Sequence, residues 1–253
     1  MSFLEGFYKS VKKFRLILRR LGISVRCLPD DLIVPILQSR IRGKKWIVGS
    51  GPYSYWMGAF EYNKRVLFEK TITAGSVILD IGAHAGFYAL LASELTGSQG
   101  RVFAFEPLAN NLRYLKEHLR INRVANVHVV EAAVSDVDGK AMFLQDCDST
   151  MGRLSQNGSI EVRTLTLDRA VIDGVIPLPQ FIKIDVEGAE AAVLSGAKQL
   201  LSQCHPIIFL STHGLDPHRK CCEFLISLGY SLKAIDANDI METDELLAIF
   251  GTS

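Results

Sequence analysis

A run of glycines and polar residues, Asp80-Ile81-Gly82-Ala83-His84-Ala85-Gly86, follows a short apolar stretch and precedes a helical pattern. Gly82 and Gly86 allow the backbone to bend sharply and to approach a ligand closely. A helix that begins near Phe87 presents unpaired amides at the same place. Because Ala83 and His84 replace the second glycine of G-x-G-x-x-G, the run does not match the nicotinamide fingerprint. Asp80 is suited to a cationic ligand, although the two glycines alone also fit a plain turn.

A second candidate is Glu106, which ends another apolar run in the sequence Phe105-Glu106-Pro107. A carboxylate at a strand end beside a glycine-rich turn is suited to accept hydrogen bonds from the hydroxyls of a ribose. Dinucleotide enzymes and methyltransferases share this feature. It therefore indicates a nucleoside but does not identify a reaction.

The third motif is Lys183-Ile184-Asp185-Val186-Glu187-Gly188-Ala189-Glu190. Glu187 and Glu190 fit the negative charge that is favoured before and within the first turn of a helix. Asp185 ends an apolar strand, so we expect it to point into a crevice. Lys183 lies two residues earlier on the same strand face, and an ion pair with Asp185 is expected.

From residue 75 onward, short apolar runs alternate with helical patterns, which predicts βαβ units and a mostly parallel sheet. In such sheets ligands bind beyond the carboxyl ends of the strands, where all three motifs stand. The predicted strands cover residues 76–81, 101–106, 127–130, 181–185, 207–210, 230–235 and 247–250. The predicted helices cover residues 87–95, 108–121, 190–201 and 217–228, and residues 141–164 are expected to be irregular loop with strand fragments.

The composition fits an ordinary globular α/β protein: 253 residues, of which 48% are hydrophobic and 22% are charged. The five cysteines are odd in number and include no Cys-x-x-Cys pair, which argues against a disulfide framework and a zinc knot. Reduced thiols and a cytoplasmic location fit best. Residues 46–253 carry more acidic than basic side chains, so no nucleic-acid partner is expected.

The N-terminal segment is basic, with eleven lysines and arginines among residues 1–45. Residues 3–21 show apolar positions three or four apart, which predicts an amphipathic helix. Two interpretations stay open: peripheral contact with an anionic inner-membrane surface, or a helix that docks on the domain or forms a dimer arm, with its basic face in solvent. No run of about 18 apolar residues is present, so no transmembrane helix is expected. We therefore divide the chain into a basic N-terminal helix and linker, 1–45, and a Rossmann-like domain, 46–253.

Taken in order, the segments D-I-G-A-H-A-G-F-Y-A, F-A-F-E-P, A-A-V-S-D, T-L-D and F-I-K-I-D-V-E-G-A-E-A-A-V-L-S-G-A resemble the FkbM family of methyltransferases. The resemblance covers roughly residues 76–211. It implies the class I methyltransferase sheet, mostly parallel with an antiparallel last strand and helices on both faces. It also implies S-adenosylmethionine as cofactor and O-methylation of a hydroxyl on a sugar, glycan or secondary metabolite.

The resemblance also assigns roles to residues. Residues expected around the cofactor are Asp80, Gly82, Ala83, His84, Gly86, Phe87, Glu106, Ala133 and Asp185, with Ala133 near the adenine. Asp185, Glu187 and Gly188 would lie beside the transferred methyl. The chain departs from the family at His84, where asparagine is common, and at Ser211, where a glutamate is frequent.

An alcohol acceptor loses a proton as the methyl is transferred, and we expect Asp185 to receive it, with Glu187 and His213 as the next candidates. These three residues offer oxygen and nitrogen ligands, but no dedicated ligand spacing requires a metal, and none is expected. Two alternatives to a methyltransferase remain: a nicotinamide-dependent enzyme on the same sheet, and an inactive cofactor-binding scaffold.

Overall fold

The computed structural model of this chain describes residues 28–145, 152–154 and 158–251. The predicted amphipathic helix at 3–21, together with Cys27 and Cys147, lies outside the described residues. The chain separates into two compact units that divide between Phe60 and Glu61. The proposed boundary at residue 45 stays a prediction, as does membrane contact by residues 3–21.

The described part of the first unit is a small aromatic-rich body. Strands β1 (Ile33–Pro35) and β2 (Lys45–Ile47) pair antiparallel, a 3₁₀ turn spans Val48–Ser50, and a short helix α1 spans Ser54–Met57. Trp46 and Trp56 are fully buried. The ring of Tyr55 lies 5.2 Å from that of Trp46 and 4.3 Å from that of Phe60, so these aromatic side chains pack against one another.

The second unit begins with helix α2 (Tyr62–Thr71), which the sequence did not predict. Its apolar pattern is weak because Lys64 and Arg65 are buried together with Phe68. A helix whose buried face includes charged side chains does not show the 3.6-residue apolar repeat on which the prediction relied.

The main sheet has seven strands, β3 (Val77–Ile81), β4 (Arg101–Phe105), β5 (Val127–Val130), β10 (Phe181–Ile184), β11 (Ile207–Ser211), β12 (Tyr230–Ala234) and β13 (Glu245–Phe250). Their spatial order is β12-β13-β11-β10-β3-β4-β5. Neighbouring strands from β11 to β5 are parallel, whereas β13 is antiparallel to both β11 and β12. The predicted α/β fold with an antiparallel last strand is confirmed.

Helices follow the strands as the pattern predicted, with α3 at Phe87–Thr96, α4 at Ala109–Ile121 and α8 at Leu215–Ser227. Leu112, Leu115 and Leu119 of α4 are buried. The predicted helix over 190–201 is instead two helices, α6 (Glu190–Ser195) and α7 (Lys198–Cys204). The break falls at Gly196, where an added Cβ would lie 2.1 Å from the Ser135 carbonyl oxygen.

The segment expected to be irregular, 141–164, takes part in a second sheet. Strands β6 (Ala133–Val134), β7 (Gly139–Gln145), β8 (Gly152–Leu154) and β9 (Ile160–Leu165) pair in the order β6-β9-β7-β8, and helix α5 (Leu167–Ile172) follows. Phe143 and Val162 are buried in this sheet. The predicted strand fragments are present, but their assembly into a sheet was not predicted, because the pairing of β7 with β9 joins residues about twenty apart, which local patterns do not reveal.

The core lies between the main sheet and its helices. Leu79, Ile81, Ile182 and Ile184 are almost completely buried in it. Cys221 and Cys222 of α8 are buried free thiols. Within the described residues, no helix is long and apolar enough to cross a membrane.

Candidate active site

The glycine-rich run forms a sharp turn between β3 and α3. Gly82 and Gly86 have positive φ angles of 79° and 92°, which glycine adopts without steric cost. The amides of Gly82 and Ala83 donate to the Phe105 carbonyl at 3.1 and 2.9 Å. A Cβ on Gly82 would lie 1.9 Å from the carbonyl oxygen of Asp185, so the turn requires glycine there. The turn thereby brings the ends of β3, β4 and β10 together.

Glu106 follows β4 directly and is anchored by three donors. Its Oε2 accepts from the His84 amide at 2.9 Å, and its Oε1 accepts from the Leu108 amide at 2.9 Å and from Asn111 Nδ2 at 3.2 Å. Burial raises the pKa of Glu106, while these hydrogen bonds act in the opposite direction. Since a carboxylate has about four acceptor positions, Oε2 keeps one position for a ligand hydroxyl.

Two further candidates for the cofactor region, Phe87 and Ala133, are apolar. Phe87 begins α3 and is only 2% exposed, so its side chain is part of the packing beneath the turn. Ala133 packs with Leu108, Phe143 and Val162 in a small buried cluster. Because the Leu108 amide binds Glu106, this cluster lies next to the carboxylate.

Lys183 connects the first and third motifs. It is paired in register with Asp80 on the neighbouring parallel strand, and its Nζ lies 3.5 Å from Asp80 Oδ1 and 3.4 Å from Asp185 Oδ2. The ammonium also donates to the Gly82 carbonyl at 3.2 Å. The predicted ion pair between Lys183 and Asp185 is confirmed, and the sequence did not indicate its second partner, Asp80.

The pKa values of these three groups follow from burial and pairing. Burial raises the pKa of Asp80, and Lys183 opposes that effect. Burial would also raise the pKa of Asp185, but Lys183, Lys64 and His213 together lower it to about 2. Although burial acts to lower the pKa of Lys183, Asp185 and Asp80 hold it well above the ordinary value. Asp185 is consequently an ionised carboxylate across the physiological range.

His213, two residues beyond β11, faces three carboxylates. Its Nδ1 lies 2.8 Å from Glu190 Oε1, and its Nε2 lies 3.4 Å from Glu187 Oε2 and 3.8 Å from Asp185 Oδ1. Glu190 is fully buried and its Oε1 also accepts from the Gly188 amide at 2.8 Å. The sequence explained Glu190 by its place in a helix first turn, but the structure also makes it the anchor of His213.

The carboxylates around His213 determine its protonation. The hydrogen bond to Glu190, aided by the charges of Glu187 and Asp185, raises the pKa of His213 to about 9, while burial acts to lower it. Burial raises the pKa of Glu187. Glu187 itself adopts a left-handed backbone conformation, with φ of 55°, in the turn after β10. Asp185, Glu187 and His213, the three residues predicted to act on the acceptor, lie together, with an oxygen of each carboxylate within 3.8 Å of His213 Nε2.

Sequence reasoning missed the acidic and basic groups on the other side of Asp185. Lys64 of α2 is 2% exposed, and its Nζ lies 2.6 Å from Ser211 Oγ, 2.9 Å from Glu245 Oε1 and 3.9 Å from Asp185 Oδ2. Glu61 also pairs with Lys64. Lys64 and Glu245 lie outside the three motifs, and nothing in the sequence around them indicates a functional site. The only hint was Ser211, which stands where the family often has a glutamate.

Glu245 begins β13 and is paired in register with Ser211. Its two oxygens lie 3.2 and 3.1 Å from Ser211 Oγ, so a carboxylate reaches this position from the neighbouring strand. Burial raises the pKa of Glu245 to about 7, with Lys64 acting in the opposite direction. This group therefore titrates near neutrality.

His118 of α4 supports the glycine-rich turn from below. It is fully buried, and its Nδ1 lies 2.7 Å from the Ala85 carbonyl oxygen, which assigns the proton to Nδ1. Burial lowers the pKa of His118 to about 4, although this hydrogen bond raises it. The imidazole is consequently neutral at physiological pH.

In chemical terms the site lies at the carboxyl ends of the strands, where carboxyl groups outnumber ammonium groups. The ammonium groups of Lys64 and Lys183 are almost fully buried, whereas the carboxylates of Asp185 and Glu187 are 19% and 30% exposed. Such an arrangement favours a positively charged ligand. Glu106, the carboxylate suited to bind hydroxyl groups, borders the same glycine-rich turn.

The strand order and the antiparallel β13 define a class I methyltransferase fold. A crystal structure of methyltransferase FkbM from Methylobacillus flagellatus KT superimposes with a TM-score of 0.52 and 16% sequence identity, over 80% of this chain and 56% of that one. Residues 80–238 match the family described as Methyltransferase FkbM domain. The chain belongs to this family, as its motifs indicated.

A curated relative gives a further comparison. The hexuronic acid methyltransferase AglP of Haloferax volcanii is 29% identical over 155 residues, which cover 60% of this chain. The match spans about three fifths of that relative, 62% of its length.

Proposed function

We propose that this protein is an S-adenosylmethionine-dependent methyltransferase that methylates a hydroxyl oxygen of a sugar or glycan. A continuous set of contacts supports this function. It runs from Glu106 through the His84 amide and the glycine-rich turn to the Gly82 carbonyl, and from there through Lys183 to Asp185. The candidate nucleoside carboxylate and the candidate reaction centre thus border the same turn.

The residues present fit S-adenosylmethionine. Asp80 is 1% exposed, and neither of its oxygens accepts a hydrogen bond from the described part of the chain. Together with Asp185 it provides negative charge for a sulfonium. Because Gly82 has no Cβ, the Asp185 carbonyl can approach the turn closely, which keeps the glycine-rich turn and Asp185 side by side. When bound, this cofactor supplies an electrophilic methyl group on a positively charged sulfur.

Several residues would hold the nucleoside. Glu106 Oε2 retains one acceptor position for a ribose hydroxyl, and the amides of the turn lie beside it. Ala133, packed against Leu108, is suited to the adenine. His118 keeps the turn in place through the Ala85 carbonyl.

Asp185 and Glu187 have different roles in this proposal. Asp185 Oδ2 faces the ammonium groups of Lys183 and Lys64, which fixes its orientation and its negative charge. Glu187 is more exposed and lies in contact with His213. Glu187 is therefore better placed than Asp185 to receive the proton of the acceptor hydroxyl, while the protein aligns that oxygen with the methyl for in-line displacement.

The acceptor class is inferred from the relative. AglP is named for a hexuronic acid, and its similarity to this chain supports a sugar or glycan acceptor over another alcohol. A glycan presents hydroxyl groups, and the partly exposed carboxylates of the crevice are strong hydrogen-bond acceptors for such groups.

Calorimetric titration with S-adenosylhomocysteine and, separately, with NAD tests the cofactor assignment. We expect binding of the former and not of the latter, and weaker binding by the Glu106→Ala variant. Binding of NAD without binding of S-adenosylhomocysteine would overturn the assignment.

A panel of free and lipid-linked glycosides, including uronosides, tests the reaction, with methylated product measured by mass spectrometry. Glu187→Gln is expected to lower turnover while leaving S-adenosylhomocysteine affinity unchanged. Glu161 of β9 is exposed and pairs with Lys140, and Glu161→Gln is the matched control. Full turnover by Glu187→Gln would exclude Glu187 as the proton acceptor.

A further inference from the structure

Three potential metal ligands lie close together just after the ends of β10 and β11. One ligand atom each from Asp185, Glu187 and His213 lies within 4.8 Å of the others. The shortest separation is 3.4 Å, from His213 Nε2 to Glu187 Oε2. Ligands bound to one divalent cation at about 2.1 Å are about 3 Å apart when adjacent and about 4 Å apart when opposite. The three side chains are therefore close to the spacing of a mononuclear site.

A buried carboxylate fixes the orientation of His213. Glu190, which is fully buried, lies 2.8 Å from His213 Nδ1 through Oε1 and receives the Gly188 amide on the same oxygen. Metal-binding histidines are commonly oriented by a carboxylate on the nitrogen that does not bind the metal. With Nδ1 engaged in this way, Nε2 is the atom that faces Glu187 and Asp185.

The two oxygens of Asp185 face different partners. Oδ2 lies 3.4 Å from Lys183 and 3.9 Å from Lys64, whereas Oδ1 lies 3.8 Å from His213 Nε2. The lysines thus hold one oxygen and leave the other directed toward His213 and Glu187. This division gives Asp185 a defined orientation before any ion binds.

From this geometry we infer that Asp185, Glu187 and His213 bind a divalent transition-metal cation, with Glu190 as the outer residue that positions the imidazole. One imidazole with two carboxylates suits Mn²⁺ and related ions better than Ca²⁺, which takes oxygen ligands. Three protein ligands leave coordination positions for water and for an acceptor oxygen. One Glu187 oxygen suffices for the ion, so the other stays available for the acceptor proton.

This inference departs from the sequence-based expectation of no metal. The ligands lie on two separate segments, after β10 and after β11, and their spacing along the chain does not follow a metal motif. Binding of the ion rests on the four residues and not on the proposed function. A protein that binds no S-adenosylmethionine would still be expected to bind the cation.

Titration of the chelator-treated full-length protein with Mn²⁺ tests the site, with free Mn²⁺ measured by electron paramagnetic resonance. We expect a single saturable site that His213→Ala and Glu187→Gln each weaken by at least roughly tenfold. His128→Ala and Glu161→Gln alter a surface histidine and a surface glutamate elsewhere and should bind as wild type does. Absence of saturable binding, or unchanged binding by His213→Ala, overturns the inference.

A second measurement needs no variant at the site and remains valid if those variants fold poorly. In nuclear magnetic resonance spectra of the wild-type protein, substoichiometric Mn²⁺ should broaden the imidazole signals of His213 much more than those of His128 and His205. Equal broadening of all histidine signals would identify nonspecific association and would overturn the inference.

Discussion

Replacing Lys183 by methionine would leave Asp80 buried without its cationic partner. Asp80 is 1% exposed, and the Lys183 ammonium lies 3.5 Å from its Oδ1. Asp185 would be affected less, because it is 19% exposed and keeps Lys64 at 3.9 Å. The variant is therefore expected to take up a proton on Asp80 in the folded state.

The magnitude follows from the free energy of that protonation. An aspartate in an unfolded chain has a pKa of about 3.9, so keeping it protonated at pH 7 costs about 4 kcal/mol, at roughly 1.4 kcal/mol per pH unit. This value is an upper limit, because burial already raises the pKa of Asp80 in the wild-type protein. At pH 5 the same cost falls to about 1.5 kcal/mol, so the destabilisation should diminish in acid.

Denaturant unfolding followed by circular dichroism at both pH values measures the effect. The double variant Lys183→Met/Asp80→Asn lacks the buried charge and should recover most of the stability at neutral pH. Lys140→Met removes an exposed pair with Glu161 and should leave stability nearly unchanged at both pH values. An equal loss of stability at both pH values, or a double variant as unstable as the single one, would show that Asp80 is not the cause of the destabilisation.

Three further predictions concern the turn and the titrating groups. Gly82→Ala places a Cβ 1.9 Å from the Asp185 carbonyl oxygen and should weaken S-adenosylhomocysteine binding in calorimetry, whereas Gly97→Ala, with positive φ but open space, should not. His118 has a pKa of about 4 against an ordinary value near 6.5, so the folded state disfavours its protonation. The contribution of His118 to the free energy of unfolding is therefore complete above pH 6.5 and should fall by about 3 kcal/mol toward pH 4. In acid unfolding experiments, the His118→Gln variant should lose less stability over this pH range than the wild type does. The Glu245 pKa of about 7 lies above that of an unfolded glutamate, so its contribution to stability is greatest in acid and declines as pH rises to about 7. Glu245→Gln should remove that decline in the same experiments.

The sequence predicted the elements that form by local rules. Strands 76–81 and 127–130 and the helix over 108–121 were correct within one residue, because each combines a clear apolar period with a terminating glycine, proline or polar run. Helix α2 was missed because buried charged residues interrupt its apolar face. The second sheet was missed because its strands pair across a long separation.

For the candidate site, sequence identified the residues that stand at strand ends. Parallel strands bring their carboxyl ends to one edge, so Asp80, Glu106 and Asp185 had to be neighbours once the sheet was predicted. The ion pair of Lys183 with Asp185 followed from the two-residue period of a strand. The partners of His213 did not, because its position depends on the turn after β11.

Sequence alone determined the fold class, the family, the glycine-rich turn and the acidic strand ends, since these depend on short segments that carry their own conformational and chemical signature. Only the tertiary structure decided that Lys64 and Glu245, from opposite ends of the second unit, meet at Ser211. It alone also placed His213 between Glu190 and Glu187. Contacts between side chains that are distant in sequence are set by strand register and helix packing, and these arise only when the whole unit folds.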